Sequence, residues 1–97
     1  MKYYLLAQAE ADLASILEFI GSRNHSAAYK LADRLQRRWE LLCEQPQSGR
    51  ARDEMRPGAR SVTVGKYVSL YRVTEGAIEI VRVFDGRRNI TPDDISS

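Results

Sequence analysis

Apolar side chains recur along this chain with two periods, and the change of period splits it into a helical half and a strand half. Leu13, Ile16, Leu17 and Ile20 stand at i, i+3, i+4 and i+7, the spacing of one face of an α-helix. Glu10, Asp12 and Glu18 take the other side, the first two near the N-terminal turn, where the helix dipole favours negative charge. The pattern predicts a helix from about residue 8, ended by Gly21-Ser22-Arg23-Asn24. Ala28, Leu31, Ala32, Leu35, Trp39 and Leu42 repeat the period and predict a second helix over 26–44, with Pro46 beyond its end. The short break between the two predicts an αα-hairpin.

Period-two segments flank the hairpin. Tyr3-Tyr4-Leu5-Leu6 is a short β-prone run before it. After it, Pro46, Gly49 and Pro57-Gly58 predict a loop or a very short helix over 46–60. Three runs rich in β-branched and aromatic residues follow, over 61–64, 67–73 and 77–84, separated by Gly65-Lys66 and Glu75-Gly76. Such runs joined by tight turns predict an antiparallel meander. The expected fold is α+β in one domain spanning 1–97: a small antiparallel β-sheet with an N-terminal α-helical hairpin packed across it, in the order β-α-α-β-β-β. Strict alternation in the last strand groups Ile78, Ile80, Arg82 and Phe84 against Ala77, Glu79, Val81 and Val83. Both sets are largely apolar and the hairpin covers only one, so the other face expects a partner or a tail folded back on it.

Composition narrows the chemistry. The chain has 97 residues, 43% apolar and 29% charged, the size and balance of one globular domain. No apolar run has the length of a membrane span, and the N-terminal run is too short for a signal peptide, so a cytoplasmic protein is expected. One cysteine, Cys43, excludes an intrachain disulfide, and with one histidine, His25, the chain lacks the usual ligands of a zinc site. A Ser-His-Asp or Cys-His arrangement would need His25, which falls in a helix-start loop. Phosphate-cradling glycine motifs are absent, and neither a metal nor a cofactor is expected.

The net charge of +2 hides an asymmetry. Residues 1–49 hold six basic and six acidic side chains, residues 50–88 nine basic and five acidic, and residues 89–97 only Asp93 and Asp94. Eight of the nine basic residues in 50–88 are arginine, which keeps its charge and forks onto carboxylate or phosphate, so this half reads as a surface for something acidic.

From Pro46 onward the residues resemble a known family. The pieces are Pro46…Gly49-Arg50, Arg56-Pro57-Gly58-Ala59-Arg60, Val64-Gly65-Lys66-Tyr67, Tyr71-Arg72-Val73 and Arg82-Val83-Phe84-Asp85-Gly86-Arg87-Arg88. In the helical half, Ala11-Asp12-Leu13…Ile16…Phe19-Ile20 and Ala27-Ala28 fit as well. In this order, over about 3–90, they resemble the RelE/ParE superfamily of toxins from type II toxin–antitoxin systems, and the ParE branch in particular. The resemblance implies a toxin held inactive by a cognate, ParD-like antitoxin in a hetero-oligomer. ParE-type members act on DNA gyrase and so on DNA replication; RelE-type members are ribosome-dependent mRNA endonucleases on the same fold, and the fold does not choose between them. RNA cleavage there uses Lys and Arg on the sheet with a Tyr or His just beyond the last strand. Arg82 fits the sheet position, but nothing after Phe84 is Tyr or His, and arginine is a poor general acid or base. The expectation is therefore a protein-binding gyrase inhibitor that needs no catalytic residue. The alternatives are the mRNA endonuclease and a non-toxic antitoxin-binding homologue.

Arg82, Arg87 and Arg88 are the expected target contacts. A flexible antitoxin segment is expected to lie on Leu13, Ile16, Leu17, Leu31 and Leu35, all of which also fit an internal core. Arg50, Arg52 and Arg60 are expected antitoxin contacts, with local pairing to Asp53 and Glu54 as the other reading of that arginine-rich loop. Tyr67 and Tyr71 share a strand face and read as core or interface before nucleobase stacking. Arg34, Arg37 and Arg38 read as a solvated helix face, with antitoxin contact second. Specific DNA binding by this chain alone and membrane association are not expected.

Overall fold

The second helix of the hairpin begins with a side-chain cap. Asn24 accepts a hydrogen bond from the Ala27 N–H at 3.1 Å, which satisfies one of the free donors at the start of the second helix. The computed structural model describes residues 1–95. Its elements are β1 (Lys2–Leu5), α1 (Ala7–Gly21), α2 (His25–Glu44), a 3₁₀ turn (Pro46–Ser48), β2 (Arg50–Ala51), β3 (Arg60–Val64), β4 (Tyr67–Thr74), β5 (Ala77–Asp85) and a second 3₁₀ turn (Pro92–Asp94). Among the described residues no helix is long and apolar enough to cross a membrane.

The strands form one sheet in the order β1-β5-β4-β3-β2. The meander of β3, β4 and β5 is antiparallel, as its turns predict. Gly65 has φ +60°, which suits the first position of a two-residue hairpin loop. Two features differ from expectation. The sheet is mixed, because β1 pairs parallel with β5, Tyr3 opposite Ile78 and Leu5 opposite Ile80. Parallel neighbours need a long crossover, and the hairpin together with the strands after it supplies one. The stretch expected to be a loop or a very short helix holds the 3₁₀ turn Pro46–Ser48 and, beyond expectation, the short strand β2, with Arg50 opposite Ser61.

A bulge in β5 rearranges its faces. Leu70 lies opposite Arg82 and Tyr71 opposite Ile80, so Val81 is one residue extra. Ile78, Ile80 and Val83 therefore join the core under the helices, with Leu31, Leu35, Trp39, Leu42, Val62, Val64, Tyr67 and Tyr71. Val81 and Phe84 go to the opposite face with Val68 and Leu70. Uninterrupted alternation puts Phe84 and Val83 on the wrong sides, because one inserted residue exchanges the faces beyond it. Trp39 crosses from α2 to β4, where its indole N–H donates to Ser69 Oγ at 3.0 Å. Tyr71 is fully buried; its hydroxyl donates to the Pro46 carbonyl and accepts from the Gly49 N–H. A Cβ at Gly49 would collide with the hydroxyl and ring edge of Tyr71 and with the Ser61 carbonyl at 2.9 Å, so the junction after the 3₁₀ turn requires glycine.

The second face is covered by the chain itself. Met55 and Ala59 from the loop and Ile95 from the tail pack on Val68, Leu70, Val81 and Phe84, with Leu6 and Ile90 beside them. Of the two covers left open by the sequence, the tail is the one present. Two arginines fasten it: Arg56 donates to the Ile95 carbonyl at 2.8 Å, and Arg82 donates to the Asp94 carbonyl.

Candidate target-binding site

A groove of about 480 Å³ opens where the end of β5 passes between α1 and the β3–β4 turn. Ile16 and Phe19 of α1 form one wall, Lys66 and Tyr67 the other, and Phe84, Asp85, Arg87 and Arg88 the end. Phe19 is 58% exposed, a large apolar ring left at the lip. The walls are fixed by the sheet, since the Gly86 N–H donates to the Lys66 carbonyl at 2.7 Å and holds the end of β5 against the turn.

Asp85 organises the charges. The Arg87 guanidinium grips its carboxylate through Nε at 3.2 Å and Nη2 at 2.9 Å, and the Arg87 backbone N–H adds a third bond at 2.9 Å. Lys66 Nζ stands 3.8 Å from the same carboxylate. Hydrogen bonds from the Arg87 side chain and backbone, reinforced by both cations, lower the Asp85 pKa from 3.8 to about 2. Arg87 is thus oriented and partly neutralised. Arg88 is different: its backbone N–H bonds to the Asp85 carbonyl at 2.9 Å, while its guanidinium bonds to no other described side chain or backbone group. Exposed and without a side-chain hydrogen bond among the described residues, it can meet an incoming acidic group, as can the half-exposed Lys66.

Arg82 stands apart from the other two expected contacts. Only 9% of its side chain is exposed, and it forks onto Asp12 of α1 at 2.6 and 3.0 Å. The Asp12 carboxylate also accepts from the Val83 N–H at 3.0 Å, beyond the point where β1 stops pairing with β5. The hydrogen bond that Arg82 donates to Asp12 raises the Arg82 pKa, against the opposing effect of burial. Arg82 thus joins α1, β5 and the tail, and its fork is already occupied by a carboxylate. A phosphate would have to displace Asp12 to reach it. Asp12 is 70 residues away in sequence, and no local pattern announces the pair.

The other expected contacts divide by burial. Leu31 and Leu35 lie in the core, at 8% and 0% exposure. Leu13, Ile16 and Leu17 are half-buried against it; Ile16 lines the groove above, and Leu17 lines a second apolar groove at the hairpin tip with Tyr29, Ala28 and His25. Arg60 donates to the Gly49 carbonyl at 2.9 Å and the Gln47 carbonyl at 3.3 Å, and Arg52 pairs with Glu54 at 2.8 Å. Arg50 is exposed, with no bonded partner among the described side chains. Lys66 and Phe19 belong to the groove, but the sequence gives no sign of it, because α1 and the β3–β4 turn meet only in the fold.

A sequence profile described as "ParE toxin of type II toxin-antitoxin system, parDE" matches residues 3–90. Toxin ParE1 of Mycobacterium tuberculosis is 35% identical over 91 residues, covering 92% of this chain and 93% of that one. Toxin RelE2 of Caulobacter vibrioides is 38% identical over 77 residues, 78% of this chain and 84% of that one. A solved structure titled "Chromosomal ParDE TA system from P. aeruginosa" superimposes with a TM-score of 0.73 at 23% identity, covering 88% of this chain and 95% of the other, and so shares the fold. The mixed sheet, the hairpin across it and the ordered residues from β1 to the arginine pair after β5 agree with the profile match, and the chain belongs to the ParE toxin family of type II toxin–antitoxin systems.

Proposed function

We propose that this ParE-family toxin acts by binding rather than by bond-making chemistry, that DNA gyrase is its target, and that a ParD-like antitoxin neutralises it in the cytoplasm as a hetero-oligomer. The observation carrying this reading is the groove at the end of β5, where Arg88 is open, Arg87 is clasped to Asp85, and Lys66 and Phe19 form the lip. A rigid basic rim beside an exposed aromatic ring suits an acidic protein surface. Bound there, the toxin would hold gyrase in a state in which cut DNA is not resealed. The half-buried Leu13, Ile16 and Leu17 and the exposed Arg50 are the antitoxin contacts this reading retains; buried Leu31 and Leu35 support that surface from beneath.

The similarity to Toxin RelE2 favours a second reading, a ribosome-dependent mRNA endonuclease. Against it stands the absence of Tyr or His after Phe84, together with the engagement of Arg82 by Asp12. One experiment separates the two. Purified toxin is added to gyrase, ATP and relaxed plasmid, and in parallel to ribosomes translating a defined mRNA. Loss of supercoiling with trapped cleaved plasmid, and intact mRNA, is the expected result. Intact supercoiling with cut mRNA would reject the gyrase reading.

A further inference from the structure

A second basic groove, of about 380 Å³, lies between α2 and β3, across the β3–β4 turn from the first. It is lined by Arg34, Arg37, Arg38 and Leu41 from α2 and by Thr63 and Val64 from β3. The sheet edge beside it is incomplete. β2 covers only Arg60 and Ser61 of β3. Val64 pairs with Tyr67 across the two-residue turn, and Ser61 pairs with Arg50 on the other side. The alternation of an antiparallel ladder then turns the Thr63 N–H and C=O away from β4, past the end of β2. Arginines at an edge can serve only to deter aggregation. Two observations point further here: Leu41 is a 41% exposed apolar side chain on the groove, and Arg38 Nη1 is buried without a hydrogen-bond partner among the described residues.

The spacing indicates what fits. Arg34 lies by the β3–β4 turn, close to Gly65, whereas Arg38 reaches Ser48, two residues before β2. The two arginines therefore run alongside β3. Residues four apart on a helix are separated by ~6 Å along its axis. Alternate residues on a strand are separated by roughly 6.6 Å, so one strand presents same-side carboxylates at the spacing of these two guanidiniums. Arg37 is held by Asp33 at 2.9 Å, whereas Arg38 makes only a long hydrogen bond to Ser48 at 3.5 Å and Arg34 bonds to no other described residue through its side chain, so these two are the pair to be met.

We propose that this groove binds an extended acidic segment of the antitoxin, which adds a short strand at Thr63 and places alternate carboxylates on Arg34 and Arg38. This rests on the antitoxin-neutralised reading above and assigns a separate surface to it, away from the β5 groove. Backbone pairing supplies affinity and the arginines set register and sign.

The test titrates the full chain, labelled for NMR, with the peptide Val-Glu-Val-Glu-Val-Glu capped at both ends. The Thr63 amide should shift and exchange more slowly. Arg34→Ala with Arg38→Ala should weaken binding about tenfold, with circular dichroism unchanged. A peptide in which proline replaces each valine loses half of its backbone donors, is held out of strand geometry by the proline rings, and should bind markedly less. An unmoved Thr63 amide, or equal binding of the proline peptide, would overturn the proposal. So would preferential binding of an oligothymidylate at Arg34 and Arg38. Growth rescue by the antitoxin is scored separately: if rescue succeeds and Thr63 does not respond, only this surface is wrong, and if no antitoxin rescues, the parent reading falls.

Discussion

One face of the sheet is covered by α1 and α2 through a continuous apolar layer that includes Leu31, Leu35, Trp39 and Leu42. The other is covered by a few side chains from irregular segments, Met55, Ala59 and Ile95 with Leu6 and Ile90 beside them, fastened by two arginine-to-carbonyl bonds. Helices bring a regular stripe and satisfy their own backbone. A loop and a tail bring few apolar contacts and need polar fasteners. The helical face should therefore behave as the global folding unit, and the tail face as a unit able to open on its own. Asp12 is where the two meet, since it holds Arg82, which holds the tail.

Substitution of Asp12 breaks the comparison most strongly. Asp12→Ala leaves the buried Arg82 guanidinium unpaired and the Val83 N–H without its acceptor, and should cost about 3–5 kcal/mol in urea unfolding. Leu35→Ala removes a fully buried side chain from the helical face and should cost about 3 kcal/mol, with all probes lost together. Ile95→Ala should cost less, about 1.5 kcal/mol, and its signature should be local: faster amide exchange in residues 90–95 with α2 protection unchanged.

The smaller effects concern the groove. The depressed pKa of Asp85 means that its pairing stabilises the fold above the ordinary carboxylate pKa of 3.8, and that this contribution is lost as pH falls towards 2. A carboxyl NMR titration should place the Asp85 midpoint near 2, with Arg87 released over the same range. A midpoint near 3.8 would mean that the clasp does not form. Arg88→Ala should change stability by less than about 0.5 kcal/mol, because the side chain is exposed and bonds to no other described residue.

Legibility in the sequence follows locality. The α1 and α2 stripes, the break at Gly21-Ser22-Arg23-Asn24 and the β3–β5 turns arise from neighbours in the chain, and period and turn chemistry report them directly. The parallel pairing of β1 with β5 joins residues about seventy-five positions apart, and nothing in Tyr3-Tyr4-Leu5 records its direction. The bulge at Val81 is equally silent, because its sequence reads as ordinary alternating strand. Among the candidate contacts, the sequence groups Arg82 with Arg87 and Arg88 by residue type. Burial and the distant Asp12 separate them.

The most direct test of the account is gyrase supercoiling by the Arg87→Ala, Arg88→Ala double variant at a concentration where the parent toxin inhibits fully. The prediction is that the variant keeps its circular dichroism, melts slightly lower because the Asp85 clasp is lost, and no longer inhibits. Inhibition equal to that of the parent would contradict it, and would move the target contact away from the end of β5.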